Sequence, residues 1–423
     1  MQQPETAILH YASPPVVGGV EAVIQAHAQV LLQAGYPVTV IAGWGEAASL
    51  PLGTGFVRIP QMDSRYSRVV QVSSQLEQGE VPPVFDELVN RLIEVLAPSL
   101  GRFENVIVHN IFTKHFNLPL TAALHYLVDA GTIRHCIAWC HDFTWTSPSS
   151  SVKVHPGYPW DLLRTHRPDM TYVVVSQRRR QELAALLGCP PEEIHIVYNG
   201  VDPRVLLGLS EEGHRLATYL GLLESDLILL MPVRVTRAKN IEYAMHVIAA
   251  LKARNCCPKL IVTGPPDPHD EQSMAYFRSL QALRGQLGVE EEMHFVFEAG
   301  QDSNQPLTID NKVVGDLFRI SDVVFMPSHR EGFGMPVLEA GLLGKPVVCT
   351  NVPAAEEIGG VDVAHFDTAE DPTLVAERIL GWAEGSAVHR LRHRVRQRYT
   401  WQAIFERDIK PLLARRGKSD RQS

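Results

Sequence analysis

Residues 7–42 run AILHYASPPVVGGVEAVIQAHAQVLLQAGYPVTVIA. Ala7-Ile8-Leu9-His10-Tyr11 is a short apolar run of strand type. From Glu21 to Ala34 the apolar residues at 24, 28, 31 and 32 fall on one stripe of a helix. Gly35 stands where a helix C-cap is expected, and Val38-Thr39-Val40-Ile41-Ala42 is strand-like again. Strand, helix and strand in this order make a βαβ unit.

The same alternation continues outward. Further strand-like runs come at 106–108, 137–140, 172–175 and 195–197. Asn199-Gly200-Val201-Asp202-Pro203 is turn chemistry, a polar stretch around Ser210 to Gly213 follows, and a second series begins. Its apolar runs lie at 227–231, 260–263, 294–297, 323–326 and 347–349. Continuous apolar strands between helices predict parallel sheets covered on both faces. Two series predict two Rossmann-like domains with a linker near residues 203–212. Ligands of such domains bind beyond the carboxyl ends of the strands, here expected in a cleft between the domains. Residues 61–85 are polar and irregular and read as a surface excursion. No fixed-period repeat or low-complexity tract interrupts the chain.

A length of 423 residues is consistent with two or three domains. With 45% hydrophobic and 20% charged residues, the chain can bury a core and is not of the disordered or collagen-like class. No apolar run approaches the roughly 18 residues of a transmembrane helix. Met1 to Thr6 lacks a positive n-region, so no secretory signal is expected. The net charge of −8 argues against a general nucleic-acid binder. That charge is uneven: His389 to Ser423 holds eleven Lys/Arg and three acids, whereas the remainder is net −16. The six cysteines, at 136, 140, 189, 256, 257 and 349, form no CxxC pair and no zinc spacing. They read as reduced thiols, and a cytoplasmic location is expected.

The segment PSHREGFGMPVLEAGLLGKPVV, residues 327–348, follows a strand-like run. Gly332 and Gly334 let the backbone approach a ligand. Pro336 suits the first helical position, where its missing N–H is not needed. Free N–H groups of the loop and helix start then form an anion site. Glu331 in the loop and Glu339, expected in the first helical turn, bracket it. A carboxylate is a natural bidentate acceptor for a vicinal diol. A bare GxG would read as an ordinary strand–loop–helix turn; the Pro and both carboxylates at this spacing favour a ligand site.

This segment resembles the signature of the retaining glycosyltransferases of family 4 (glycosyl transferase group 1), whose E-x7-E element sits in an EGFG-x-P-x-x-E setting. Glu331 to Glu339 matches it, and the resemblance covers essentially the whole chain. It implies an α/β chain of GT-B fold, two Rossmann-like doubly wound domains facing a central cleft. An N-terminal acceptor-side domain would span 1–205 and a C-terminal nucleotide-sugar domain 206–399. A last helix, 400–416, would cross back to the first. By the same resemblance, Glu331 contacts donor-sugar hydroxyls and Glu339 the nucleotide ribose, while the amides of Phe333, Gly334 and Met335 meet the sugar and diphosphate.

Three further segments fit. In Met231-Pro-Val-Arg234-Val-Thr-Arg237-Ala-Lys239-Asn240, cations follow a strand, where they can stabilise the charge that grows on a departing diphosphate. The family places an Arg and a Lys five residues apart here, matched by Arg234 and Lys239; Arg237 lies between them. Val17-Gly18-Gly19-Val20-Glu21 is a Gly pair before a helix, able to approach a donor phosphate, and it is not the GxGxxG of a dinucleotide site. Trp139-Cys140-His141-Asp142-Phe143 ends a strand. The family has a His near the reacting sugar carbon in this setting, carried to His141, with Asp142 orienting it or meeting acceptor hydroxyls. His109 and Asn110, ending another strand, are acceptor-side candidates.

The implied activity is transfer of a hexose from a nucleotide-diphosphate sugar, UDP-glucose or GDP-mannose in type, to an acceptor hydroxyl with retention. In the family the leaving phosphate, rather than a carboxylate nucleophile, is thought to help deprotonate the acceptor. No metal and no cofactor beyond the nucleotide-sugar co-substrate is expected, since no DxD-type motif is placed to replace the cations. The acceptor could be a sugar, a lipid-linked species or a small molecule. The alternatives are a non-catalytic nucleotide-sugar-binding protein or another GT-B enzyme such as a sugar-nucleotide epimerase. The basic C-terminal block reads as a solvated helix, with Arg390, Arg394 and Arg398 on one face and Arg392 and Arg396 beside it. Its sharper reading is peripheral docking to an anionic membrane at the inner surface.

Overall fold

The computed structural model describes residues 3–267, 269–300 and 307–414. Arg415, Arg416, Lys418, Asp420 and Arg421 of the basic block lie outside the described residues. So do Met1, Gln2 and the last two positions of the helix expected over 400–416. The chain forms two compact units. One comprises residues up to Gly200 plus the segment from Trp401; the other is Val201–Thr400. Val201 forms a parallel bridge with Thr400, so the chain enters and leaves the second unit side by side.

The first unit holds a seven-stranded parallel sheet. Its strands are β1 (Thr6–Ala12), β2 (Val38–Trp44), β3 (Gly55–Arg58), β4 (Asn105–His109), β5 (Cys136–Cys140), β6 (Met170–Val174) and β7 (Ile194–Ile196). They lie in the order β3-β2-β1-β4-β5-β6-β7. Every residue of β1, β4 and β5 is buried, as sheets covered on both faces require. The helix Gly19–Gln33 follows β1 and buries Ile24, Ala28 and Leu31, on the stripe expected from sequence.

The segment from Trp401 packs on the same side. Its short helices Trp401–Ile404 and Lys410–Leu413 flank a wider turn, Phe405–Ile409. Ile404, Phe405, Ile409, Leu412 and Leu413 join Ile8, Ile24, Leu31 and Trp139 in one apolar cluster. Each large apolar side chain removed from water there contributes about 1.5–3 kcal/mol.

The second unit holds six parallel strands: β8 (Leu227–Met231), β9 (Pro258–Val262), β10 (Met293–Phe295), β11 (Val323–Met326), β12 (Val347–Thr350) and β13 (Ala364–Phe366). Their order is β10-β9-β8-β11-β12-β13. Among the described residues, no helix is long and apolar enough to cross a membrane.

Four expectations change. Residues 61–85 are not an irregular excursion: Ser67–Leu76 is a helix that buries Val69, Val72 and Leu76, whose spacing makes one apolar stripe. The linker expected over 203–212 is largely structured. Pro203–Leu206 is helical, and Ser210 caps the helix Glu211–Tyr219 while its backbone N–H donates to Asp316 Oδ2 at 2.9 Å. The strand expected to reach residue 297 stops at Phe295 and becomes a tight helical turn, Val296–Ala299. The basic helix, Ala387–Arg398, is not simply solvated. Arg396 Nη2 reaches Asp322 Oδ2 at 3.0 Å and Arg392 Nε reaches Asp322 Oδ1 at 3.6 Å. Arg392 also donates to the Ile320 carbonyl at 2.7 Å. Two of the five arginines therefore hold the helix to its own unit, and Arg390, Arg394 and Arg398 remain exposed.

Candidate active site

In each sheet the strand order reverses at one point, between β1 and β4 and between β8 and β11. In open α/β sheets a ligand crevice opens there, outside the carboxyl ends of the strands. The residues singled out from sequence follow these four strands or the adjacent β5.

In the second unit, the loop after β8 brings Arg234 and Lys239, and the loop after β11 brings Glu331. Lys239 Nζ donates to both Glu331 carboxylate oxygens at 2.8 Å. Only 22% of the lysine side chain and 7% of the glutamate side chain are exposed. The two loops are stitched by the His329 backbone N–H, which donates to the Ala238 carbonyl at 2.9 Å. Arg234 is exposed. Arg237 is turned aside: its guanidinium lies 4.7 Å from the centre of the Tyr276 ring.

Gly334 adopts φ +80°, a left-handed conformation disfavoured for other residues, and starts the helix Met335–Leu342. Because that turn is taken at Gly334, the helix begins at Met335 and Pro336 is its second residue. Glu339 then falls past the first turn, not within it as expected, and its side chain is exposed. Phe333 and Met335 are also exposed, at 60% and 53%.

In the first unit, Gly18 caps the helix Gly19–Gln33. A Cβ on Gly18 would lie 2.2 Å from Glu21 Oε2, so a larger residue there would displace this carboxylate. Glu21 Oε1 stands 3.9 Å from His10 Nε2. Asn110 takes φ +58° just past β4. Its side-chain oxygen accepts the backbone N–H groups of His141 at 2.8 Å and Asp142 at 3.2 Å, so Asn110 shapes the turn after β5.

His109 and His141 share a hydrogen bond, Nδ1 to Nε2, at 3.1 Å. His141 Nδ1 has no partner among the described residues. Burial holds His10 and His141 down to about 4 and His27 to about 3, and it places His109 well below the ordinary imidazole value. All four rings are therefore neutral near pH 7. Both nitrogens of His27 and Nε2 of His109 are buried without hydrogen-bond partners, the His27 ring lying 4.5 Å from Trp139 and 5.3 Å from Trp401. Among the described residues, no group of three or more His, Cys, Asp or Glu side chains is arranged to hold a metal ion.

Two sequence expectations are corrected here. His109 has no exposed surface, so it cannot meet an acceptor; it sits behind His141 and holds that ring. Asp142 does not orient His141: its Oδ1 is ion-paired with Arg179 Nη2 at 3.0 Å. Asp142 and Asn110 do line a cavity of about 410 Å³ with Gly19. Among the lining residues that sequence reasoning missed are His10, Glu21 and Lys114. The signal for Lys114 was its place four residues beyond Asn110 after a strand end; Glu21 stood in the Gly-Gly motif without a role.

Two family models match the chain: "Glycosyltransferase Family 4" over residues 17–205 and "Glycosyl transferases group 1" over 220–399. An uncharacterized glycosyltransferase of Methanocaldococcus jannaschii is 26% identical over 56% of this chain and 58% of its own length. A D-inositol 3-phosphate glycosyltransferase of Saccharomonospora viridis is 28% identical over 54% and 52%, respectively. The chain thus spans little more than half the length of these two relatives. An MMP alpha-(1->4)-mannosyltransferase of Mycolicibacterium hassiacum is 22% identical over 95% of this chain and 96% of its own.

Proposed function

This chain belongs to the group 1, family 4 glycosyltransferases of GT-B fold, and on that premise we propose that it moves a hexose from a nucleotide-diphosphate sugar to an acceptor hydroxyl with retention. The observation that carries this proposal is the Lys239–Glu331 pair at the β8/β11 switch point, with Arg234 exposed on the same loop as Lys239. A cation and a carboxylate fixed 2.8 Å apart suit a ligand that presents hydroxyls next to phosphate.

In this function Glu331 accepts from donor-sugar hydroxyls and Glu339 from the ribose diol. Arg234, Lys239 and the backbone N–H groups at 333–335 face the diphosphate. As the glycosidic bond lengthens, negative charge grows on the leaving phosphate, and in this reading these groups stabilise it. Removal of one such group typically costs ~10²–10³ in rate. His141, neutral at pH 7, can offer a hydrogen bond to a ligand of the first unit without adding charge. Charge stabilisation falls to Arg234 and Lys239, so turnover should persist in EDTA. All six cysteines are free thiols, which suits a cytoplasmic site of action.

The test is a thermal-shift panel of UDP, GDP, ADP and TDP. The nucleotide of the donor, at 100 times its dissociation constant, should stabilise the protein by about 2.7 kcal/mol. No shift with any nucleotide would refute the assignment of the second unit.

A further inference from the structure

The cavity of the first unit, at about 410 Å³, lies within the roughly 300–1,000 Å³ of small-molecule sites. One of its lining groups is unusual. Lys114 is only 9% exposed, yet its ammonium has neither an ion pair nor a hydrogen bond among the described residues. Its ammonium lies 4.9 Å from the centre of the Phe116 ring. Most of the lysine side chain is buried, and the residue lines the open cavity.

The nearby acids are already engaged by other groups. Asp63 Oδ1 already accepts the Arg65 backbone N–H at 2.9 Å and Nε at 3.3 Å. Asp142 is paired with Arg179. Burial pushes the Lys114 ammonium below its ordinary value, with Asp142 opposing that shift and Arg179 adding to it. The Lys114 backbone is fixed without its side chain: its N–H donates to the Asn110 carbonyl at 3.0 Å, and its carbonyl accepts from Tyr11 Oη at 3.3 Å. The ammonium therefore stands at the cavity wall with no hydrogen bond or ion pair among the described residues. Two further lining groups have capacity to spare. The Asn110 side-chain nitrogen has no partner among the described residues, and Glu21 has only a neutral His10 ring at 3.9 Å.

We propose that this cavity binds an acceptor bearing one acidic group, phosphate or carboxylate, on a hydroxylated skeleton, with Lys114 as the counter-charge. Glu21 and the Asn110 amide take hydroxyls of the same molecule. The word acceptor rests on the glycosyl-transfer function proposed above; the cavity chemistry does not. Lysine acts here as a point charge, which suits either anion. A buried polar group left unpaired by an uncharged analogue makes the site reject that analogue.

The test is calorimetric titration of the full chain, saturated with the nucleotide that stabilises it, using matched ligands. These are glucose, glucose 6-phosphate and glucuronate, then glycerol, glycerol 3-phosphate and glycerate. At least one acidic member should bind more than tenfold tighter than its neutral parent, and the better anion identifies the group. Lys114→Met should abolish that preference, leave nucleotide affinity unchanged, and leave the melting temperature of the unliganded protein equal or higher. No preference for any acidic member, a preference that survives in Lys114→Met, or a lowered melting temperature would each overturn the proposal. Loss of nucleotide binding in the parent protein would instead strike the function proposed for the second unit.

Discussion

Replacing Lys239 by Met separates the two tasks of the Lys239–Glu331 pair. With side-chain exposures of 22% and 7%, the pair is mostly but not wholly buried. Breaking a fully buried pair costs about 3–5 kcal/mol because one charge is stranded. Water still reaches Lys239, so a loss of about 1–2 kcal/mol is expected. For a unit of this size, each kcal/mol moves the melting temperature by about 2–4 °C. Turnover should fall further, by ~10²–10³ in kcat/KM, if Lys239 faces the leaving diphosphate. That is about 2.7–4 kcal/mol at 1.36 kcal/mol per decade. The double variant Lys239→Met/Glu331→Gln decides between structure and catalysis. Without the stranded carboxylate its stability should return to within about 0.5 kcal/mol of the parent, since contacting residues are non-additive. Its activity should remain lost. Denaturant midpoints give the stabilities, and nucleotide release from the donor found by the thermal-shift panel gives the rates. A Lys239→Met variant with kcat/KM within threefold of the parent would refute the assignment. So would a double variant that recovers both stability and turnover.

The two carboxylates should separate in kinetics: Glu339→Ala should weaken nucleotide binding, whereas Glu331→Ala should mainly lower turnover. Calorimetry against the nucleotide and initial rates check this, and full activity with equal affinity in both variants would sink the site. Acid should unfold the first unit through its buried histidines. Their unfolded value is about 6.5, and in the folded protein burial lowers His10 and His141 to about 4 and His27 to about 3, with His109 also well below 6.5. Burial likewise lowers His115 and His125 of the same unit to about 4. Between pH 6.5 and about 4 the unfolded chain therefore binds up to six more protons at these sites, and stability falls as pH drops. The limiting slope is about 8 kcal/mol per pH unit. Denaturant midpoints across that window test it, and His27→Phe should reduce the slope by about a sixth.

The parallel sheets were legible because their strands are apolar on both faces. β1, β2, β4, β5 and β8 to β12 all stood out as apolar runs between helices. The strands not foreseen, Gly55–Arg58 and Ala364–Phe366, are short edge strands and carry little apolar signal. The helix Ser67–Leu76 was hidden by its polar composition, although Val69, Val72 and Leu76 have helical spacing. At the candidate site, Gly334, Glu331 and Lys239 were visible because they fall in short motifs that resemble the family pattern. The environments of His109 and Asp142 were not, since burial and the Arg179 ion pair arise from residues far apart in the chain.

By itself, then, the sequence determined two βα series, the Gly-Pro loop bracketed by Glu331 and Glu339, and the cations after β8. Each is set by local periodicity or by spacing within a few residues. Only the tertiary structure decided that Lys239 grips Glu331, 92 residues away. It also decided that Arg392 and Arg396 serve Asp322, and that Lys114 lines a cavity with no ion pair among the described residues. Charge pairing depends on which strand ends the sheet order makes neighbours. That order places β8 beside β11 and β1 beside β4, and no local pattern records it.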